Sequence, residues 1–302
     1  MRWLTIILFF WIIPTFAVVV HTLYQAQVSV TSSSSYARNK AFGRALQQVL
    51  IKVSGNPGVV TLPAIQDKLS QAGSLVQSYG YSDHVLEVKF APQTIQQILT
   101  TAGQALWGNN RPLILVWLVT QDESGAKVIV GDSNNILVTG LQNNAARRGL
   151  PILLPVKDLL DLSSITINDI ESVNVPVIQA ASARYNTAAI LLGDLLQVNG
   201  KWQGKWTLLL NGDSMHWTLT GKNKSQVISA IMDDVADSLA MQYAVIGDSS
   251  LSKQLTLLVT GVHNLDEYSQ VIGYLQNLHV VTKVELADVT PEGIKQIGRA
   301  HV

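Results

Sequence analysis

The hydrophobic positions of the first hundred residues switch between the period of a strand and the period of a helix. Residues 24–30, YQAQVSV, alternate apolar and polar side chains, which predicts a strand. Residues 36–55 then carry apolar side chains three or four positions apart and end at Gly55, which predicts a helix with a left-handed C-terminal residue. A short helix near 66–71, two strands and a closing helix follow. The order β-α-α-β-β-α predicts a small α+β domain over residues 23–106.

The pattern then changes and predicts a second domain over residues 107–247. Its first residues, WGNNRP, are rich in turn formers and favour a domain boundary. A nearly continuous apolar run, LILVWLVTQ, comes next and is typical of a strand that is covered on both faces. Strands and helices alternate after it, and one of these helices ends at Gly149. We therefore expect an α+β or mixed α/β fold, in which two small domains have antiparallel or mixed sheets packed by helices.

Two Asn-Gly pairs in the second domain predict tight hairpins that set the register of a three-stranded meander. These pairs are Asn199-Gly200 and Asn211-Gly212. Counting outwards from the turns places Trp206 opposite Trp217 on one side and opposite Gly193 on the other. Apolar side chains collect on one face and polar side chains on the other, as one buried face requires. The predicted structural core of this meander comprises Trp206, Trp217, Gly193 and Trp202.

The two ends of the chain carry different signals. Residues 248–296 contain a strand, a helix and a strand, which predicts a partial ferredoxin-like β-α-β unit. The last six residues, 297–302, match the translation of a common sequencing adapter, so we interpret them as read-through into a C-terminally truncated chain. Residues 1–22 combine an arginine, an apolar run and Pro14, which is typical of a secretory signal peptide. An uncleaved inner-membrane anchor over residues 3–20 is the alternative, because about 18 apolar residues lie at the lower limit for spanning a bilayer.

Composition narrows the classes of function. Charged residues make up only 14%, and 21 basic residues balance 21 acidic ones without any polybasic run, so nothing predicts a nucleic-acid partner. The absence of cysteine excludes disulfides, thiolate metal sites and a cysteine nucleophile. No P-loop, dinucleotide-binding glycine pattern or metal-type histidine pair occurs. We therefore expect no cofactor and no metal, and we expect membrane contact only through the N-terminal segment.

A GDSL-like serine hydrolase is one alternative function. Gly131-Asp132-Ser133 follows a predicted strand and precedes a predicted helix, and the later segment from Asp213 to His216 has the Asp-x-x-His spacing of such enzymes. This chemistry requires Ser133 within hydrogen-bond reach of His216, together with an oxyanion hole. Against it, the predicted register places Asp213 and His216 on opposite faces of a strand. The oxyanion segments of that family are also missing from the sequence.

Several arginine, aspartate and tryptophan residues are candidates for a binding surface. A small-ligand carrier with a cleft between the first two domains, near Trp107 and Arg111, is the second alternative function. The pair Arg147-Arg148 lies in the last turn of a predicted helix, where cations suit the helix dipole and an anion or a partner could also bind. Asp158 begins a stretch with further acidic residues that lacks the spacing of a calcium loop. The complete set of predicted surface binding residues is Trp107, Arg111, Arg147, Arg148, Asp158 and Arg184.

Four segments in the same order resemble the domain of unknown function 2066 family of exported bacterial proteins. They are ARNKAFGRALQQVLIKVSGNPGV, LWGNNRPLILVWL, AARRGLPILLPVKDLLDL and AASARYNTAAILLGDL. The resemblance runs from about Tyr24 to about Val281 and implies a Gram-negative envelope protein without an established activity or catalytic residue. We therefore expect an exported, periplasmic, non-enzymatic protein that binds another envelope protein. The oligomeric state stays open.

Overall fold

The structure is a computed structural model that describes residues 17–122, 124–246, 252–260, 262, 264–276, 281–290 and 293–301. Its strands are β1 (Ala17–Val19), β2 (Gln25–Ser29), β3 (Val76–Ser82), β4 (Val85–Phe90), β5 (Asn110–Pro112), β6 (Ile114–Gln121), β7 (Lys127–Val130), β8 (Ile152–Leu153), β9 (Ala189–Val198), β10 (Lys201–Leu210), β11 (Asp213–Gly221), β12 (Ser252–Val259), β13 (Val281–Thr290) and β14 (Gly293–His301). Its α-helices are α1 (Ser35–Ser54), α2 (Pro63–Ser70), α3 (Pro92–Thr101), α4 (Ile136–Arg148), α5 (Leu159–Ser164), α6 (Ile167–Glu171), α7 (Val175–Ser182), α8 (Lys224–Tyr243) and α9 (Leu265–Gln276). The fold is of the predicted α+β, mixed α/β class.

The N-terminal unit has the predicted order of elements. Strands β2, β4 and β3 form an antiparallel sheet with β4 in the middle. Helix α1 buries its apolar side chains in the same hydrophobic core as this sheet. The side chain of Ser34 accepts a hydrogen bond from the first turn of α1, and Gly55 ends the helix with a φ of 71°. Glycine suits this end because the left-handed conformation is strained for other residues.

The middle unit is built on a mixed sheet in the order β11-β10-β9-β6-β7, with β8 also paired to β6. Strand β6 runs parallel to β8 and β9 and antiparallel to β7. Nearly every residue of β6 is buried, as its continuous apolar run predicts. Helices α4 and α8 share a hydrophobic core with one face of the sheet. Residues of α6 and α7 share a second core with the opposite face.

The meander of β9, β10 and β11 has the predicted register. Trp206 pairs with Trp217 on β11 and with Gly193 on β9, so this prediction is confirmed. Trp206 is buried, whereas Trp202 and Trp217 are half-buried and pack against the core from its edge. The Trp206 ring lies directly over Gly193, in the space that a Cβ atom would need. The Asn-Gly turns thus position the tryptophans as packing residues.

The third sheet has the order β12-β14-β13, and all its neighbouring pairs are antiparallel. The predicted strand-helix-strand pattern corresponds to β12, α9 and β13. Strand β14 was not predicted, and it lies between the other two, as in the split arrangement of ferredoxin-like units. Residues 297–301 belong to β14, and their interpretation as adapter read-through stays a prediction. The sequence also has Gly-Asp-Ser at residues 212–214 and 247–249, and the latter triplet lies outside the described residues.

The predicted signal segment overlaps the described structure at its end. Strand β1 pairs with β5, and the backbone N–H of Val20 donates to the carbonyl of Asn109. Leu23 is fully buried in the N-terminal core. Residues 17–22 therefore contact the segment that joins the two units, while the predictions of a signal peptide and of export stay predictions. Within the described part of the chain, no helix combines the length and the apolar character that crossing a membrane requires.

Candidate functional site

Three of the predicted surface binding residues are buried. Trp107, Arg111 and Arg148 have exposed fractions of 1%, 0% and 2%, so their assignment to the surface is wrong. The segment WGNNRP was predicted to be a domain boundary, and it packs between the two units. The backbone N–H of Trp107 donates to the carbonyl of Val53 in α1, and Leu106 bridges Val245 after α8. Packing of this segment against α1 and the end of α8 buries the side chains of Trp107 and Arg111.

Arg111 is satisfied by backbone carbonyls. Its guanidinium lies 3.8 Å from the ring centroid of Trp107, within cation–π range. Its donors reach the carbonyl oxygens of Lys52, Trp107, Gly108, Arg148 and Gly149. Two of these carbonyls end α4, where the helix dipole is negative. The Nε, Nη1 and Nη2 atoms of Arg111 all donate to carbonyl oxygens. Protein atoms therefore fill the place where the ligand cleft near Trp107 and Arg111 was predicted.

Arg147 and Arg148 join α4 to α8. Arg147 forms two hydrogen bonds of 2.9 Å with the carboxylate of Asp233. Arg148 pairs with Asp233 at 2.8 Å and also with Asp237, and it donates to the carbonyl of Gly55 at 3.2 Å. We call Lys52, Trp107, Arg111, Arg147 and Arg148 the cation junction, because they hold α1, α4 and α8 together.

Lys52 brings a further charge into the cation junction. Its ammonium group donates to the carbonyls of Gln25, at 2.8 Å, and Thr22, at 3.3 Å. Burial, together with the nearby charge of Arg111, lowers the pKa of Lys52 to about 8. Burial also lowers the pKa of Arg111, but a guanidinium remains charged at neutral pH. The cation junction therefore contains buried positive charge that backbone carbonyls compensate, which is a structural arrangement.

The other two predicted binding residues meet in a second cluster. Arg184 donates to both oxygens of Asp158, at 2.7 and 2.8 Å, and to Asp161 at 3.2 Å. The hydroxyl of Tyr185 donates to Asp161, and the backbone N–H of Lys157 donates to it at 2.8 Å. The hydrogen bonds from Arg184 hold the pKa of Asp158 well below its usual range, and burial with the Asp161 contact raises the pKa of Tyr185 to about 12. We call Asp158, Asp161, Arg184, Tyr185 and the Lys157 N–H the Asp161 network.

Helix α5 has an inverted polarity, because it buries a charged side chain and exposes its leucines. Its buried residue is Asp161, with an exposed fraction of 2%, whereas Leu159, Leu160 and Leu162 are exposed by 86%, 56% and 54%. Val156, just before the helix, is also exposed. A helix on a protein surface normally turns its leucines inward. We call Val156, Leu159, Leu160 and Leu162 the α5 surface.

A cleft of about 760 Å³ opens between β7, the first residues of α4 and α8, and the loop that precedes α5. Its lining includes Asp122, Gly131, Ser133, Lys157, Trp202 and Lys224. We call it the Lys157 cleft. Lys157 has a φ of 63°, which is unusual for a lysine, and its side chain lies against Gly131. The Asp161 network thus holds Lys157 in a conformation that places it at the wall of this cleft.

The residues proposed for a serine hydrolase are kept apart. Ser133 follows β7 at one edge of the sheet and His216 lies on β11 at the other, four strand spacings away, or about 19 Å. Ser133 is hydrogen-bonded to Gly131 and Asn135, and His216 to Thr207 and Ser214. The geometry therefore does not assemble the catalytic pair. Among the described residues, no group of three or more histidines and carboxylates is placed to hold a metal ion.

Sequence reasoning missed Asp161 and Lys157. The available signal was the spacing of Asp158 and Asp161, which a helix N-terminus explains through the hydrogen bond from the Asp161 N–H to the Asp158 carboxylate. Nothing in KDLLDL shows that the second aspartate points inward and the leucines outward. That orientation depends on Arg184 and Tyr185, which lie more than twenty positions further along the chain.

A family model described as Domain of unknown function (DUF8605) matches residues 17–108, which is less than half of the chain. This match overturns the resemblance to the domain of unknown function 2066 family, which was wrong. Much of that resemblance was carried by segments beyond residue 108. No curated protein matches the chain.

Two solved structures are weakly similar to this chain. TolB from Acinetobacter baumannii is 12% identical over 51% of this chain and 33% of its own, with a TM-score of 0.25. A protein described only as uncharacterized is 11% identical over 43% of this chain and 88% of its own, with a TM-score of 0.16. The chain thus spans about a third of TolB, and neither likeness carries an argument about fold or function. Residues 17–108 are similar to a family of unknown function, and no enzyme family matches.

Proposed function

We propose that this protein is an exported, non-catalytic binding protein of the periplasm that recognises another envelope protein through the α5 surface. The observation that carries the proposal is the inverted polarity of α5, which buries a carboxylate and exposes three leucines. Clustered exposed apolar side chains are uncommon on soluble proteins and mark interaction sites. The apolar N-terminal segment supports the location, because it has the pattern of a signal peptide.

The chemistry of the α5 surface specifies the kind of partner. Both carboxylates of the helix accept hydrogen bonds from Arg184, and Asp161 also accepts from Tyr185 and the Lys157 N–H, so their oxygens are engaged within the protein. A partner therefore needs no complementary charge at this surface. The partner is expected to present an apolar segment with leucine or aromatic side chains, which bury well against leucine.

The decisive experiment combines site-specific photo-crosslinking in vivo with reconstitution. A photo-crosslinking residue replaces Leu159 in the full chain, and Met241, an 88% exposed residue of α8, serves as the matched control position. The crosslinked partner is identified and purified, and its affinity is measured for the wild type, Leu159→Ser/Leu162→Ser and Met241→Ser. We expect crosslinking at residue 159 alone and at least tenfold weaker binding by the double leucine variant. Thermal unfolding should be nearly unchanged, since both leucines are exposed.

Three outcomes would overturn the proposal. The partner could bind the leucine variant as tightly as the wild type. The crosslink at residue 159 could join only two copies of this chain, or only lipid. Ester hydrolysis by the purified protein that disappears in Ser133→Ala would contradict the non-catalytic part.

A further inference from the structure

The Lys157 cleft is a second candidate site, and none of the α5 leucines lines it. Its volume of about 760 Å³ falls within the range of roughly 300–1,000 Å³ that is typical of small-molecule sites. Residues of the strands, the loop after β8 and the N-terminal ends of two helices form its walls. It is therefore large enough to enclose a small organic molecule.

The charges on the cleft wall are mostly positive. Lys157 and Lys224 line the cleft, and Asp122 is the only acidic residue among the described lining residues. The carboxylate of Asp122 is already engaged by its own turn, since it accepts hydrogen bonds from Ser124 and Ala126. The cleft therefore favours a ligand that carries negative charge.

Lys224 is held in place beside an aromatic ring. Its ammonium group donates to the carbonyl of Gln121 at 2.9 Å and lies 4.5 Å from the ring centroid of Trp202. Partial burial lowers the pKa of Lys224. Lys224 is thus a fixed cation in the cleft lining, and the nearby carboxylate of Asp122 favours its charged form.

Lys157 is held in place through its backbone. Its N–H is fixed by the buried Asp161, and its φ of 63° places the side chain across Gly131, where a Cβ atom would meet the lysine at 2.8 Å. Within the described residues, no hydrogen bond or ion pair to the Lys157 ammonium group is found. A glycine or an asparagine would adopt this backbone conformation more readily, so the presence of a lysine points to a use for its amine.

We propose that the Lys157 cleft binds a small organic anion, whose phosphate or carboxylate group pairs with the ammonium groups of Lys157 and Lys224. Charge-assisted hydrogen bonds from two lysines to one oxyanion give both affinity and position. Trp202, at the same wall, offers the remainder of the ligand an apolar edge. The Asp161 network acts here as a set of positioning residues, because it sets the conformation of Lys157 without lining the cleft.

The test is isothermal titration calorimetry of the full chain at low ionic strength with inorganic phosphate, phenyl phosphate and benzoate. Benzamide is the neutral control ligand. We expect saturable binding of at least one anion, no binding of benzamide, and at least tenfold weaker binding in Lys157→Met and in Lys224→Met. Lys68→Met, which removes an exposed lysine from α2 in the N-terminal unit, should leave the affinity unchanged.

Each ligand and each variant in this experiment distinguishes one interpretation of the cleft from another. Preference for phenyl phosphate assigns a phosphate ligand, and preference for benzoate assigns a carboxylate ligand. Failure of all three anions to bind the wild type would overturn the proposal, and so would equal losses in Lys157→Met and Lys68→Met. Circular dichroism and thermal unfolding of each variant establish that it is folded, and Lys224→Met provides a second route if Lys157→Met does not fold. The α5 surface is intact in these variants, so this test and the partner-binding test can fail separately.

Discussion

The cation junction and the Asp161 network both pair arginines with aspartates, but they bury opposite partners. In the cation junction, Arg111 and Arg148 are buried, and Asp233 and Asp237, the aspartate partners of Arg148, lie partly in water. In the Asp161 network, the carboxylate is buried, and the side chain of Arg184 is 34% exposed. The same residue types therefore produce two different environments.

This difference separates a structural cluster from one that supports surfaces. The donors of Arg111 all reach carbonyls, and Arg148 is held by two carboxylates together with backbone carbonyls, so these buried cations join elements of the fold. The buried carboxylate of Asp161 fixes α5 and the preceding loop from the inner side, so the outer side of both elements stays exposed to solvent. In this protein, the outer side carries the α5 leucines, and the loop carries Lys157.

The largest expected effect comes from removing Arg111. Arg111→Met leaves five carbonyls without their donor inside the protein, so the free energy of unfolding should fall by about 4 kcal/mol. The matched variant, Arg184→Met, removes one partner of the buried Asp161 but leaves its hydrogen bonds from Tyr185 and the Lys157 N–H, so it should cost less, about 2 kcal/mol. Urea unfolding of both variants measures the contrast. Equal losses would mean that burial of the cation does not distinguish the two clusters.

The next effect concerns pH. Because the pKa of Lys52 is about 8 in the folded protein and near 10.4 when unfolded, the unfolded chain binds more protons between these values. The contribution of Lys52 to the free energy of unfolding should therefore rise by about 3 kcal/mol from pH 8 to pH 10.5. The measurement is the difference between the wild type and Lys52→Met in urea unfolding across this range.

The comparison of the wild type with Lys52→Met has one contradicting outcome and one control variant. Parallel curves for the wild type and Lys52→Met would show that Lys52 is not desolvated. The Asp161 network should behave differently, because the lowered pKa of Asp158 gives a stabilising contribution that is fully present above about pH 4 and is lost as the pH falls further into acid. Asp158→Asn should therefore leave the profile above pH 8 unchanged.

The smallest effect concerns backbone strain. Lys157 has a φ of 63°, and relief of this left-handed conformation by Lys157→Gly should stabilise the protein by about 1 kcal/mol. Asn199→Gly is the control, because Asn199 has a φ of 51° in a hairpin turn and asparagine tolerates this region. Thermal unfolding should show a rise in Tm for Lys157→Gly and little change for Asn199→Gly. A loss of stability in Lys157→Gly would show that packing of the lysine on Gly131 outweighs the strain.

Local patterns predicted much of the fold. The Asn-Gly turns determined the pairing of Trp206 with Trp217 and Gly193, because a two-residue turn leaves one register. Gly55 and Gly149 marked the ends of α1 and α4, since both adopt a left-handed conformation there. Each of these features depends on neighbours within a few positions, which is why the sequence alone predicts them.

The candidate sites were predicted less well. Arg111 was expected at the surface because arginine is rarely buried, but three of its five carbonyl acceptors come from residues 37 to 59 positions away. No sequence pattern predicted that the leucines of α5 are exposed, because this exposure follows from the contact of Arg184 with Asp161. Asp158 and Arg184 were both predicted as candidate binding residues, and their contact with each other was not predicted.

The sequence by itself therefore determined the elements, their caps and the register of the meander, because short-range sterics and hydrogen bonds decide these features. Only the tertiary structure decided which charged side chains are buried. Burial of a charge depends on the sum of many weak acceptors and distant partners that converge in three dimensions. In this protein, that sum buries Arg111 and Asp161 and leaves the leucines of α5 in water.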